Sequence, residues 1–258
     1  MRNHVLNFIK YKDLFIELVK KDIKLKYKNS YLGILWSLIN PLMMMVVLTI
    51  VFSAIFRNHI ENFPVYVLTG RLIYSFFSEA TNFSMDSINA NSQLIKKVYV
   101  PKYFFPLSRV CSSFITTLIA MLPIFVIMLV TNMKFHATIL LIWVPLLILL
   151  FLSMGAGLIL ATITVFFKDM KHLYSIVLTV VMYMTPIFYP ANIIPEKYHF
   201  LIRLNPLYSV LNMFRDNLMY GKLPTLTDLL LSIIYAVLFI FIGFYMFYKK
   251  QDKFIFHL

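Results

Sequence analysis

The sequence predicts an all-α integral membrane protein. It reads as six transmembrane helices, an N-terminal amphipathic helix in the membrane interface, and short outer re-entrant helices between spans five and six. Three observations predict this. Apolar residues make up 60% of the 258 and charged residues only 14%, against roughly 45–50% and about 25% in a soluble globular chain. Mean hydropathy is +0.80, more apolar surface than a soluble domain of this length can hide. The apolar residues also gather into runs of about 20, the length of a helix that crosses the bilayer hydrocarbon.

The first element is residues 13–28. On a helical wheel Leu14, Phe15, Ile16, Leu18, Val19, Ile23 and Leu25 share one side, and Glu17, Lys20, Lys21, Lys24 and Lys28 the other. Asp22 and Lys26 break the pattern. Such a basic, amphipathic helix lies in the interface plane. It serves either as a passive anchor or as a lever touching a cytoplasmic partner.

The spans follow at 32–56, 64–88, 104–130, 137–167, 173–189 and 229–248. The first begins too late and runs too long for a signal peptide, and lacks an A-x-A cleavage site. The fourth is long enough to tilt or bend; the fifth is short. Pro41, Pro123, Pro145 and Pro186 lie within spans, where proline usually only kinks the helix. Residues 190–224 are apolar and aromatic, yet broken by Pro190, Pro195, Pro206 and Pro224. Two short helices, about Glu196–Leu204 and Leu207–Tyr220, are expected to dip into the outer leaflet and return. A plain outer loop is the alternative.

Charge orients the chain. With a cytoplasmic N-terminus, 17 of the 24 Lys and Arg fall on inner segments. The other seven are Arg57, Arg71, Lys134, Lys197, Arg203, Arg215 and Lys222. The positive-inside rule favours this arrangement, with both termini cytoplasmic. The net charge of +13 then reflects topology and lipid headgroups rather than nucleic acid. The one cysteine, Cys111, rules out an intramolecular disulfide.

Several chemistries lack their residues. No G-x-x-x-x-G-K-[ST] occurs: Gly155-x-Gly157 is followed by LILAT, a pair better suited to close helix packing. Metal-ligand spacings are missing, and the six histidines are scattered singly. The acids do not cluster as a membrane-embedded glycosyl- or acyltransferase would need. Glu79 and Asp86, seven residues apart, share a face of the second span. They read as a hydrophilic lining or a proton site; the alternative is that Asp86 has already reached the cytoplasmic interface and Glu79 pairs with a neighbouring helix. A secondary transporter or channel remains a rival, although no repeat relates the two halves.

Five motifs then appear in order. They are KYKNSYLGILWSLINPL (26–42), LIKKVYVPKYFFPLSRV (94–110), VFFKDMKHL (165–173), TPIFYP (185–190) and LNPLYSVLNMFRDNLMYG (204–221). Together they resemble permease subunits of type-2 ABC exporters, in the branch that exports O-antigen, capsular polysaccharide and teichoic acid. The resemblance covers essentially the whole chain. It implies a non-catalytic half-transporter of the bacterial inner or plasma membrane. Two copies pair, and two ATP-binding subunits, carrying ATP and Mg, dock from the cytoplasm. A lipid-linked glycan passes through.

Within that frame Tyr31, Trp36, Asn40, Glu79, Tyr183, Phe188 and Tyr189 are the conduit candidates, because aromatic faces stack on pyranose rings. Trp36 reads equally as an interface anchor. Asn40 and Pro41 loosen the first span where a cytoplasmic gate has to move. Coupling to the ATPase falls to three cytoplasmic surfaces: Phe15, Leu18 and Lys21; Lys96, Lys97, Val98 and Tyr99; and Lys168 with Asp169. Arg203, Asn205, Pro206, Tyr208 and Arg215 form a candidate outer gate.

Overall fold

The computed structural model describes residues 11–28, 30–56, 60–98 and 100–257, and no strand occurs among them. Helix α1, Lys12–Lys26, precedes a 3-10 turn at Gly33–Leu35 and helix α2, Trp36–Phe56. Gly33 takes φ +49 there, a value that costs most side chains steric strain. Helix α3, Phe63–Met85, starts with Pro64 in its first turn and stops at Asp86. The short helices α4, Ser87–Ala90, and α5, Ser92–Lys97, follow. The third apolar run divides at Met121 into α6, Phe104–Ala120, and α7, Leu122–Val130, where Pro123 removes a helical donor. A 3-10 stretch at Ala137–Ile142 leads into α8, Trp143–Phe166, and α9 is Met170–Met184. Helices α10, His199–Arg203, and α11, Pro206–Arg215, precede a π-helical turn at Asp216–Tyr220. Helix α12, Leu226–Lys250, is capped by Thr225 Oγ1, which accepts from the Asp228 amide at 3.2 Å.

The boundaries differ from the sequence expectation at several ends. The second span breaks at Asp86 instead of running to 88. The fifth is a 15-residue helix ending at Met184, not 189. Pro186 accounts for that stop, because it excludes the residue before it from helical geometry, and Thr185 is extended at ψ 127. Among the described residues four segments are long and apolar enough to cross a membrane: Gly33–Phe52, Phe104–Val130, Ala137–Phe166 and Leu226–Phe256. Helix α9 is a shorter apolar helix. Helix α3 has 23 residues but carries Arg71 and Glu79.

Helix α3 is the hub. Val65, Val67, Ile73 and Ala80 are buried on its different faces, and the main core forms around it with α8 and α11. A second core closes the other end, where Leu18, Ile95, Phe104, Phe247 and Phe254 meet. The two glycines of the G-x-G serve packing. A Cβ on Gly157 would sit 2.5 Å from Ser84 Oγ on α3, and one on Gly243 of α12 would sit 2.7 Å from the Gly155 carbonyl. Helix α2 is the opposite case: Val46, Val47, Ile50 and Val51 are left uncovered by the chain.

Candidate functional site

Helices α1, α2, α3, α6 and α7 enclose a cleft of about 210 Å³, in which polar and charged side chains are set among Leu68, Leu72, Phe76, Ala120 and Ile124. The end of α1 contributes Lys26 and Tyr27, and the start of α2 contributes Trp36, Ser37, Asn40 and Pro41. Helix α3 adds Arg71, Ser75 and Glu79, and α6 adds Thr116 and Thr117. The spacing explains the convergence: 36 and 40, and 71, 75 and 79, are stacked turns of one helix face. Pro41 has no N–H, so the Ser37 carbonyl lacks its helical donor at the cleft wall.

Charge is distributed unevenly along this cleft. At its mouth Lys26 Nζ donates to Glu79 Oε1 at 2.5 Å and to Thr116 Oγ1 at 3.3 Å, and Ser113 Oγ donates to the same Glu79 oxygen at 3.4 Å. Tyr27 and Ser37 share a hydroxyl–hydroxyl bond. Arg71 lies deeper, two turns along α3 from Glu79, and makes no hydrogen bond or ion pair among the described residues.

Helix α1 is clamped to the bundle beside the cleft. Leu18, Val19 and Asp22 are its buried residues, and Phe15 meets Phe104 edge-on with centroids 5.5 Å apart. Asp22 is 4% exposed, accepts from Ser108 Oγ at 3.3 Å and faces Arg109 Nε at 3.9 Å. Burial pushes its carboxyl above the ordinary carboxylate range, with Arg109, Lys21 and the Ser108 bond only partly offsetting that. Arg109 also donates to the Phe83 carbonyl at 3.1 Å and stacks 4.0 Å from the Phe83 ring. Lys21 donates to Asn91 Oδ1 at 3.2 Å.

A second polar knot ties α11 to α3 and to the segment after α9. Arg215 is 4% exposed. Its guanidinium donates to the Pro186 carbonyl at 2.8 Å, the Tyr66 carbonyl at 3.0 Å, the Ile187 carbonyl at 3.3 Å and Thr69 Oγ1 at 3.3 Å. It also lies 3.4 Å from the Tyr66 ring centre. Gly70 makes the room, since a Cβ there would come within 2.9 Å of Arg215 Nη2. Asn205 caps α11 by accepting from the Leu207 amide at 3.0 Å and donates to Thr185 Oγ1 at 2.7 Å.

The conduit candidates therefore divide. Trp36, Asn40 and Glu79 line one cleft. Tyr31 and Tyr183 are exposed elsewhere. Phe188 stacks on Phe52 at 6.2 Å, and the Tyr189 hydroxyl donates to the Tyr183 carbonyl. Among the coupling candidates Phe15 and Leu18 turn into the chain's own core rather than outward. Lys96, Lys97, Val98, Lys168 and Asp169 are exposed; Tyr99 lies outside the described residues. Of the outer-gate candidates Arg215 and Asn205 are buried, Pro206 and Tyr208 half-buried and Arg203 exposed. Sequence reasoning passed over Arg71, Lys26 and the Asp22–Arg109 pair. Asp22 and Lys26 did leave a trace, as the two residues that break the α1 wheel. Among the described residues no three His, Cys, Asp or Glu gather as a metal site.

Comparison with known proteins gives the cleft a context. The profile of the ABC-2 type transporter family matches residues 13–219. The O-antigen export system permease protein RfbA of Klebsiella pneumoniae is 32% identical over 247 residues, covering 94% of this chain and 93% of that protein. Its Myxococcus xanthus counterpart is 28% identical over 256 residues, 97% of each chain. The polysialic acid transport protein KpsM of Escherichia coli is 26% identical over 242 residues, covering 90% of this chain and 91% of the other.

Proposed function

The chain belongs to the ABC-2 type transporter family, and from that membership we propose the activity of the whole assembly. The protein is the permease subunit of an ATP-driven exporter that carries a lipid-linked surface polysaccharide, of the O-antigen, capsule or teichoic-acid class, out of the cytoplasm. The carrying observation is the near full-length match to an O-antigen export permease.

The remaining features fit one working arrangement. Helix α3 and the shorter α9 join the four long apolar segments as six spans, with both termini cytoplasmic by the distribution of Lys and Arg. The α10–α11 region is the outer re-entrant element, and the Arg215 knot holds it against α3. Two copies pair through the faces the chain leaves open. On α2 these are Val46, Val47, Ile50 and Val51, and on α9 they are Ile176, Val177 and Val180. The polysaccharide passes between the two copies, with Tyr183 on that same open face of α9 and Phe188 and Tyr189 at its outer end. No phosphate-cradling loop exists in this sequence, so ATP is bound and hydrolysed on a separate subunit. That subunit meets Lys96, Lys97, Val98, Lys168 and Asp169 at the cytoplasmic turns. Force reaches the cleft through α1, which grips α3 and α6 through Lys26 and Asp22 and holds Asn91, between α4 and α5, through Lys21.

Affinity purification of the tagged chain from its native membrane tests this reading. An ATP-binding subunit should co-purify in equal amount with ATPase activity. Purified chain that moves glycan on an ion gradient without such a subunit would return the protein to the secondary-transporter reading.

A further inference from the structure

The cleft holds a cation that has no hydrogen bond or ion pair among the described residues. Arg109 and Arg215, the other arginines set among the helices, have internal partners: a carboxylate, a carbonyl and a ring for one, four acceptors and a ring for the other. Arg71 faces the cleft with neither hydrogen bond nor ion pair among the described residues. At 1.5 Å per residue it sits about 12 Å from the start of α3 and about 21 Å from its end. That is well inside the length of a span, where an uncompensated cation is costly and commonly marks a ligand path.

We propose that this cleft is a phosphoryl-binding subsite, with Arg71 as the counter-charge and Lys26 as a second donor released from Glu79. The inference rests on the export reading above and names the part of the substrate that this cleft takes. Arginine's planar fork matches phosphoryl oxygens in pairs. The volume decides what fits. Pockets for drug-sized ligands run to roughly 300–1,000 Å³, so 210 Å³ is too small for an oligosaccharide and suits one head group. Trp36, half exposed at the mouth, then meets the sugar next to the phosphate. The Lys26–Glu79 pair keeps the mouth neutral until an anion competes with Glu79 for Lys26.

Trp36 also supplies the readout. The chain has two tryptophans, so Trp143→Phe leaves Trp36 as the sole emitter. The full chain in uncharged dodecyl maltoside micelles is titrated with dodecyl phosphate, inorganic pyrophosphate and, as a carboxylate control, dodecanoate. Dodecyl phosphate should shift Trp36 emission saturably. Arg71→Gln should weaken that binding at least about tenfold, as loss of a charge-assisted paired contact does. Glu79→Gln should tighten it, because it removes a competing anion and frees Lys26. An Arg71-dependent response to pyrophosphate as well means the phosphoryl group suffices; silence from pyrophosphate with a response to dodecyl phosphate means the site requires a lipid-borne one. Both support the subsite. No saturable response to either phosphoryl probe overturns it. So does equal affinity for dodecanoate, or unchanged affinity in both Arg71→Gln and Glu79→Gln. If Arg71→Gln aggregates, Arg71→Lys, which should bind with intermediate affinity, and Glu79→Gln decide. The assay needs neither ATP nor a second subunit, so its failure leaves the export reading standing, and failed co-purification leaves the subsite standing.

Discussion

Replacing Arg215 by lysine keeps the charge and removes the fork. One guanidinium now reaches the Pro186, Tyr66 and Ile187 carbonyls and Thr69 Oγ1 from three nitrogens, while lying flat on Tyr66. A single ammonium cannot span that set, and it gives up the stacking. Hydrogen bonds from charged donors contribute about 1.5–3 kcal/mol each. Losing two of four gives about 3–6 kcal/mol before the neighbours relax. Relaxation and a smaller cation leave about 3 kcal/mol, or roughly 100-fold in the equilibrium that opens α11 away from α3. The assay is thiol accessibility in a Cys111→Ser background, with Val210→Cys as reporter because Val210 is fully buried in α11. A membrane-impermeant maleimide should label it slowly in the parent and about 100-fold faster in Arg215→Lys. Gly70→Ala should do the same from the other side, by crowding Nη2. Unchanged labelling in both variants would refute the claim that this knot holds the outer helices.

Other outcomes follow from the same geometry. Trp36→Ala should reduce surface glycan more than membrane protein level, since Trp36 lines the cleft and packs little; equal export would make it only an interface anchor. Asp22→Ala should expose Leu18, read as faster labelling of Leu18→Cys, by removing a buried side chain from this contact and with it an acceptor of the Ser108 hydroxyl. The raised Asp22 carboxyl means folding favours its protonated form. Docking of α1 should therefore be firmest below the ordinary carboxylate value and loosen as pH rises through the raised one, and Asp22→Asn should flatten that profile. Val98→Asp should weaken binding of the ATP-binding subunit, whereas Lys96→Glu should act more mildly and mostly at low salt. Co-purification at two salt concentrations separates these, and equal recovery throughout would assign the segment to topology alone.

Much of the architecture was legible because hydropathy alone separates membrane helices from the rest. The ends were less so. Pro186 acts on the residue before it, so an apolar run to 189 hides a helix that stops at Met184. The α1 wheel showed a lipid face but not the bundle face, because docking is carried by Asp22, the residue that breaks the apolar pattern, beside Leu18 and Val19. Trp36, Asn40 and Glu79 were readable as polar or aromatic intrusions in apolar text, and they share a wall. Arg71 was visible only as an arginine on the outer or buried side of the count. What singles it out is the contrast with Arg109 and Arg215, and that requires knowing which partners the fold brings within reach.

In the proposed function this permease moves a lipid-linked glycan only when a partner subunit hydrolyses ATP. Inside-out membrane vesicles loaded on their outer, cytoplasmic face with the lipid-linked glycan test it directly, by following protection of the glycan from an added glycosidase. Protection is expected with ATP, none with a non-hydrolysable analogue, and none when the partner's ATP site is inactivated. Protection that persists without hydrolysis, driven by an ion gradient alone, would contradict it.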